Sequence, residues 1–171
     1  MSGKPIYYWD SPVFIAWITD EDRPPGDMEG ITAVVKDIDS EKCRLLTSAL
    51  TRLEVLEAGV GQGANEGFED FLDRPDITVA SVELSVIDVA YNIRNYYRAS
   101  SDYKKTVSVP DAIHLATAIV NGASVFQTFD SENRKNSLGL IPLSGTVGGR
   151  YELRIERPMS KQPDFFAGRS E

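Results

Sequence analysis

The sequence predicts an α/β domain with a largely parallel central sheet flanked by helices, and three observations predict it. Short runs rich in β-branched and aromatic residues alternate with longer segments whose apolar residues recur at helical spacing. The composition, 42% hydrophobic and 26% charged over 171 residues, allows one domain with a substantial core. Acidic residues stand directly after two of the strand-like runs, where ligands bind in sheets of this kind.

The elements follow in order. Ile6-Tyr7-Tyr8-Trp9 is the first strand, and Ser11-Pro12 after Asp10 opens a helix continued by Val13, Phe14, Ala16 and Trp17. Residues 19–30 are acidic, contain Pro24, Pro25 and Gly26, and predict a surface loop or insertion. Residues 31–38 fit strand and helix equally. Residues 43–47 predict the second strand. A helix is expected from Thr51, with Leu53, Leu56 and Val60 at helical spacing, and the four glycines of residues 59–67 are expected to break it. Residues 77–84 alternate as a third strand. Residues 85–98 form a helix with an apolar stripe of Val86, Val89, Ala90, Ile93 and Tyr97. Pro110 opens a further helix over 111–121, which Gly122 closes, and residues 124–128 are a buried strand leading to a turn or short helix at Asp130. The domain is expected over residues 1–143. Residues 144–171 form an extension, with an added edge strand at 151–155 and a mobile tail from 160.

Composition also excludes several function classes. The single cysteine, Cys43, excludes an intramolecular disulfide framework and a cysteine-rich zinc site. The N-terminal residues do not read as a signal peptide, and no stretch approaches the roughly 20 apolar residues that cross a bilayer. A cytoplasmic protein with no membrane partner is expected. The net charge of −8, from 26 acids and 18 bases, argues against a general nucleic-acid binder. It does not argue against an enzyme whose clustered carboxylates bind a cation and so attract phosphate. The glycines of 59–67 lack phosphate-loop spacing.

Four acids are the candidate site: Asp10, Glu54, Asp111 and Asp130. Each has a plainer role open to it. Asp10 can cap the helix after it, and Thr51-Arg52-Leu53-Glu54 reads as a capping box. Asp111 lies in a first helical turn, and Asp130 can cap a short helix over 131–137. Apolar neighbours (Trp9, Leu53, Val55, Phe129) point instead to anchored acids.

The blocks Tyr8-Trp9-Asp10-Ser11, Thr47-Ser48-Ala49-Leu50-Thr51-Arg52-Leu53-Glu54, Pro110-Asp111-Ala112-Ile113-His114-Leu115-Ala116-Thr117-Ala118 and Gln127-Thr128-Phe129-Asp130 resemble the PIN domain, in its order and with spacings near those of its VapC-like toxin branch. The resemblance implies a single PIN-like domain acting as a divalent-metal-dependent endoribonuclease. It also implies the toxin of a toxin–antitoxin pair, dimeric and held by a cognate antitoxin. Asp10, Glu54, Asp111 and Asp130 fall on the family's acidic quartet, Thr128 on its polar residue two before the last acid, and Asn133 where many members carry a further ligand. Ser11 joins Thr128 and Asn133 in a supporting shell. Residues 19–30 and the chain after 143 are longer than in compact toxins.

The chemistry agrees with the residue types. Mg²⁺ and Mn²⁺ prefer oxygen ligands, and carboxylates that repel one another are reconciled by a cation. The densest basic cluster, Arg94, Arg98, Lys104 and Lys105, followed by Arg134 beside Asp130, supplies candidate contacts to RNA phosphates. His114 shares the Asp111 helix face, although a lone histidine on an apolar helix more often serves packing. The competing readings are a non-catalytic PIN-like module that binds RNA or protein, and a phosphatase, for which Asp10-Ser11-Pro12 lacks the second aspartate.

Overall fold

The computed structural model describes residues 3–159. Their elements are β1 (Ile6–Trp9), α1 (Ser11–Ile18), α2 (Asp27–Asp39), β2 (Arg44–Ser48), α3 (Ala49–Glu57), α4 (Gln62–Leu72), β3 (Ile77–Ala80), α5 (Leu84–Ala99), α6 (Val109–Val120), β4 (Val125–Gln127), a 3-10 turn (Ile141–Leu143), β5 (Gly145–Val147) and β6 (Tyr151–Glu156). They build one six-stranded sheet in the order β3-β2-β1-β4-β6-β5. Every pairing is parallel except that of β5 with β6.

Strand alternation explains the layering. Side chains one residue apart on a strand face opposite sides of the sheet, so Tyr8 and Leu46 enter one apolar cluster with α5 and α6. Trp9 and Leu45 enter the other, with α1, α2, α3 and α4. The stripe Val86, Ala90, Ile93 and Tyr97 is buried as its spacing predicts, with Val89 packed at its margin. In the opposite layer Phe14 stands edge-on to Trp9 and Phe68, with ring centroids 5.3 Å apart in both pairs.

Several expectations are decided or corrected. Residues 31–38 are helical and the helix starts earlier, at Asp27, inside the stretch read as a loop. Ile31, Val34 and Ile38 form its buried stripe. The glycine run does break the helix, since α3 ends at Glu57 ahead of Gly59, but a new helix, α4, then runs through Gly63 and Gly67, because Phe68, Phe71 and Leu72 gain a core contact that outweighs glycine's weak propensity. Gly61, at φ 98°, makes the turn into that helix. β3 stops at Ala80 because Glu83 is the extended residue before α5. Of the turn or short helix expected at Asp130, the chain takes the turn, with residues 131–139 forming a bent loop.

The strand expected at 151–155 forms as β6, but β4 and β5 flank it, so β5 holds the edge. Val147, Leu153 and Ile155 bury into the same cluster as Tyr8. Just beyond, Arg157 grips the buried Asp27 through two hydrogen bonds, at 2.8 and 3.1 Å. Arg23 pairs with the same carboxylate at 3.2 Å. Both guanidiniums lie over the Phe129 ring, at 3.5 Å for Arg23 and 5.6 Å for Arg157. Gly30 packs so closely under this segment that a β-carbon there would lie 2.3 Å from the Pro158 backbone. The expected tail from 160 lies outside the described residues.

Candidate active site

The chain leaves β1 in one direction to build β2 and β3, and returns on the other side as β4. That reversal falls at the carboxyl ends of β1 and β4, the crevice position at which open α/β sheets bind ligands. Asp10 leaves β1 there, and Thr128 and Asp130 follow β4. Ser48, at the end of β2, accepts the Leu50 N–H as the N-cap of α3, and Asp111 lies in the first turn of α6.

The plainer roles now separate. Asp10 occupies the N-cap position of α1, yet its side chain makes no capping hydrogen bond. The capping box expected at Thr51 and Glu54 does not exist, because α3 begins at Ala49 with Ser48 as its cap. Thr51 is buried and meets the Thr47 hydroxyl at 2.8 Å, leaving Glu54 in mid-helix. Asp130 has no helix to cap, and its N–H donates to the Thr128 hydroxyl at 3.1 Å. Asp111 keeps a local role, for Ser108 Oγ donates to its Oδ2 at 2.5 Å and accepts its N–H at 3.2 Å.

Burial sets the electrostatics. Asp10 is 5% exposed, and desolvation lifts its carboxyl from 3.8 to about 7, with the Asp111 charge pushing the same way. The Thr128 hydroxyl, His114 and the Val13 N–H oppose this and lose. Asp130 is raised by the same desolvation and by Asp111, against Arg134. Arg134 stands 3.5 Å from Asp130 Oδ2, an ion-pair distance without a hydrogen bond. Asp111 is thus electrostatically coupled to Asp10 on one side and Asp130 on the other. Glu54 differs. Burial pushes it up, but hydrogen bonds with His114 and Ser11 outweigh that and hold it below its ordinary value.

Two oxygens bear on a cation. Asp10 Oδ1 and Asp130 Oδ2 are buried and accept no hydrogen bond. Such orphaned oxygens are costly, and a hard divalent cation is the ligand their chemistry fits. Among the described residues no three acidic or histidine side chains stand close enough to form a ready-made cage. Asp10 and Asp130 are instead each coupled to Asp111 through their charges, and Glu54 stands with His114 and Ser11.

The supporting residues are placed as follows. Ser11 donates to Glu54 Oε2. Asn133 Oδ1 accepts the Gly139 N–H at 3.0 Å, so it fastens its own loop. Arg94 donates to Val107 O at 3.0 Å and Lys105 to Arg134 O at 2.6 Å, both bonds internal to the fold. Arg98 and Lys104 are exposed. His114 is no mere filler. It is 3% exposed, with Tyr8 Oη 2.6 Å from Nδ1 and Glu54 Oε2 2.8 Å from Nε2. The signal in the sequence was its place one turn after Asp111; its link to Tyr8 spans 106 positions and leaves no local mark.

The geometry describes an α/β protein with electrostatically coupled acids, the buried Asp10 among them, at its switch point. The chain belongs to the PIN domain family, which matches residues 7–137. No curated protein matches it by sequence. Among solved structures it is similar to a toxin–antitoxin complex from Klebsiella pneumoniae, with a TM-score of 0.56 and 15% identity over 91% of this chain and 99% of that one. It is similar also to a VapBC complex from Rickettsia felis bound to a DNA fragment from its promoter, with a TM-score of 0.55 and 11% identity over 72% and 86%. A third is a sarcin–ricin-loop-cleaving VapC toxin of Mycobacterium tuberculosis, with a TM-score of 0.55 and 15% identity over 74% and 91%. At these identities the likeness speaks for the fold. Among the described residues, no helix is long and apolar enough to cross a membrane.

Proposed function

We propose that the chain is a divalent-cation-dependent endoribonuclease, the toxin of a toxin–antitoxin pair, acting in the cytoplasm as a homodimer on an RNA substrate. The observation that carries the reading is Asp10: a buried carboxylate with an orphaned oxygen, coupled through Asp111 to a second orphaned oxygen on Asp130. The catalytic unit of this reading is residues 1–143, and the described part of the extension 144–171, residues 144–159, braces it.

Asp10, Asp111 and Asp130 would hold Mg²⁺ or Mn²⁺, with Glu54 serving a second ion or positioning the attacking water. When bound, the cation supplies Lewis acidity and charge neutralisation at the scissile phosphate. The protein's own groups do the rest. Thr128 braces the turn that carries Asp130, and the Ser108 hydroxyl orients Asp111. Arg98 and Lys104, both exposed, would meet RNA phosphates in this reading. The descriptions of the similar structures as toxins and toxin–antitoxin complexes support an antitoxin as the protein partner.

The test is cleavage of structured RNA with Mn²⁺ and with EDTA, for wild type, Asp10→Asn and Asp111→Asn. Cleavage should require the cation and fall to background in both variants. Cleavage retained by Asp111→Asn would overturn the reading, and a fold that binds no divalent cation in calorimetry would favour the non-catalytic PIN-like module.

A further inference from the structure

We propose that His114, backed by Tyr8, is a positioning residue for Glu54, pinning one carboxylate oxygen so that the other faces its work. This rests on the nuclease reading and assigns a task to the one histidine of the chain.

Both ring nitrogens are engaged, and the carboxylate fixes the role of Nε2. A carboxylate only accepts, so Nε2 carries the hydrogen and donates to Glu54 Oε2 at 2.8 Å. On that tautomer Nδ1 accepts, and the Tyr8 hydroxyl donates to it at 2.6 Å. Tyr8 is fully buried, stacked on Phe126 at 4.8 Å, and cannot turn away. The ring is therefore locked from behind by a strand residue in the centre of the sheet. From the front, Ser11 Oγ donates to the same Oε2.

Two donors on Oε2 saturate it, and neither uses Oε1. The carboxylate is thereby oriented, with Oε1 left to bind an ion or accept a proton from the attacking water. Glu54 sits on α3, His114 on α6 and Tyr8 on β1, so the relay ties together elements from both layers of the sandwich. A histidine serving packing alone would not need two partners of matching donor and acceptor character, one of them a site acid.

The experiment compares wild type with His114→Leu, His114→Gln, His114→Asn and Tyr8→Phe. Thermal unfolding checks the fold, electron paramagnetic resonance measures Mn²⁺ binding without RNA, and cleavage gives kcat and KM separately. Loss of a partner that orients a site carboxylate costs about 10- to 100-fold. His114→Leu should lose that much kcat with KM for RNA unchanged and bind Mn²⁺ more weakly. His114→Gln keeps an N–H near the place of Nε2 and should recover most of the loss. His114→Asn reaches only to the place of Nδ1 and should not. Tyr8→Phe should fall between wild type and His114→Leu.

A folded His114→Leu with wild-type kcat and Mn²⁺ binding overturns the proposal while leaving the nuclease reading intact. Where His114→Leu does not fold, the polar pair decides, and equal activity of His114→Gln and His114→Asn overturns it. A wild type that neither binds Mn²⁺ nor cuts RNA overturns the nuclease reading itself, and this proposal falls with it.

Discussion

Replacing Asp10 with asparagine should make the cation-free protein more stable at neutral and alkaline pH. The fold raises this carboxyl from 3.8 to about 7, chiefly by burying it. One pKa unit is worth about 1.4 kcal/mol, so holding Asp10 ionised costs the fold up to about 4 kcal/mol. The sign follows from linkage. Below pH 3.8 the group is protonated in folded and unfolded chains, and the stability contributed by the raised pKa is fully present. As pH climbs towards about 7 the unfolded chain releases its proton first, and that stability drains away. Asparagine keeps the shape and never ionises. Its advantage should therefore be small at pH 4, grow through pH 5 and 6, and level off above 7. For a chain of this size about 1 kcal/mol moves Tm by roughly 2–4 °C, so the gain at pH 8 should be about 5–15 °C. Calorimetric scans in EDTA from pH 4 to 8 would measure it. Millimolar Mn²⁺ should raise the wild-type Tm and leave the variant nearly unmoved, since a ligand stabilises only the fold that binds it. Coincident Tm values at pH 8 in EDTA would refute the reasoning, because a carboxylate content to be charged there has no need of a cation.

Other outcomes are fixed by local contacts. Ser48→Ala removes the cap of α3 and should cost about 1 kcal/mol in urea unfolding. Arg157→Ala strips the two-bond partner from Asp27, whose side chain is 2% exposed, and should cost about 3 kcal/mol. Lys4→Ala breaks only an exposed pair with Glu41 and should shift unfolding by less than about 0.5 kcal/mol. Gly30→Ala forces a methyl against the Pro158 backbone and should cost about 1–3 kcal/mol, with the segment after β6 becoming sensitive to protease.

The parts of the fold legible in the sequence were those written in local periodicity. Trp9 and Tyr8 alternate, Val86 to Tyr97 recur at helical spacing, and Pro110 with Gly122 bracket α6; the α/β class follows from them, while the likeness to the PIN domain rests on the four acid-bearing blocks. What stayed illegible depended on distant partners. α4 is a helix in spite of Gly63 and Gly67 because Phe14 lies opposite Phe68. α2 begins at Asp27, where a carboxylate is buried against an arginine 130 residues away. β5 has only three residues and was invisible without β6 beside it. At the site, residue type and order pointed to the four acids. They could not separate the electrostatic chain through Asp10, Asp111 and Asp130 from Glu54, which is held in a relay of its own. That division arises from Tyr8, Ser11 and His114, side chains whose roles depend on what faces them across the sheet.

The placement of β6 has a consequence for the order in which the molecule can be finished. β4, which leads to Thr128 and Asp130, has no neighbour on its outer side until residues 151–156 arrive. Phe129 lies under Arg23, and its second guanidinium cover comes only when Arg157 reaches back to Asp27. A growing chain can assemble the inner strands early, but the wall of the crevice closes only with the last part of the described chain. An enzyme of the proposed kind would, on this plan, keep the side of its site beside Asp130 unfinished until β6 and Arg157 have emerged.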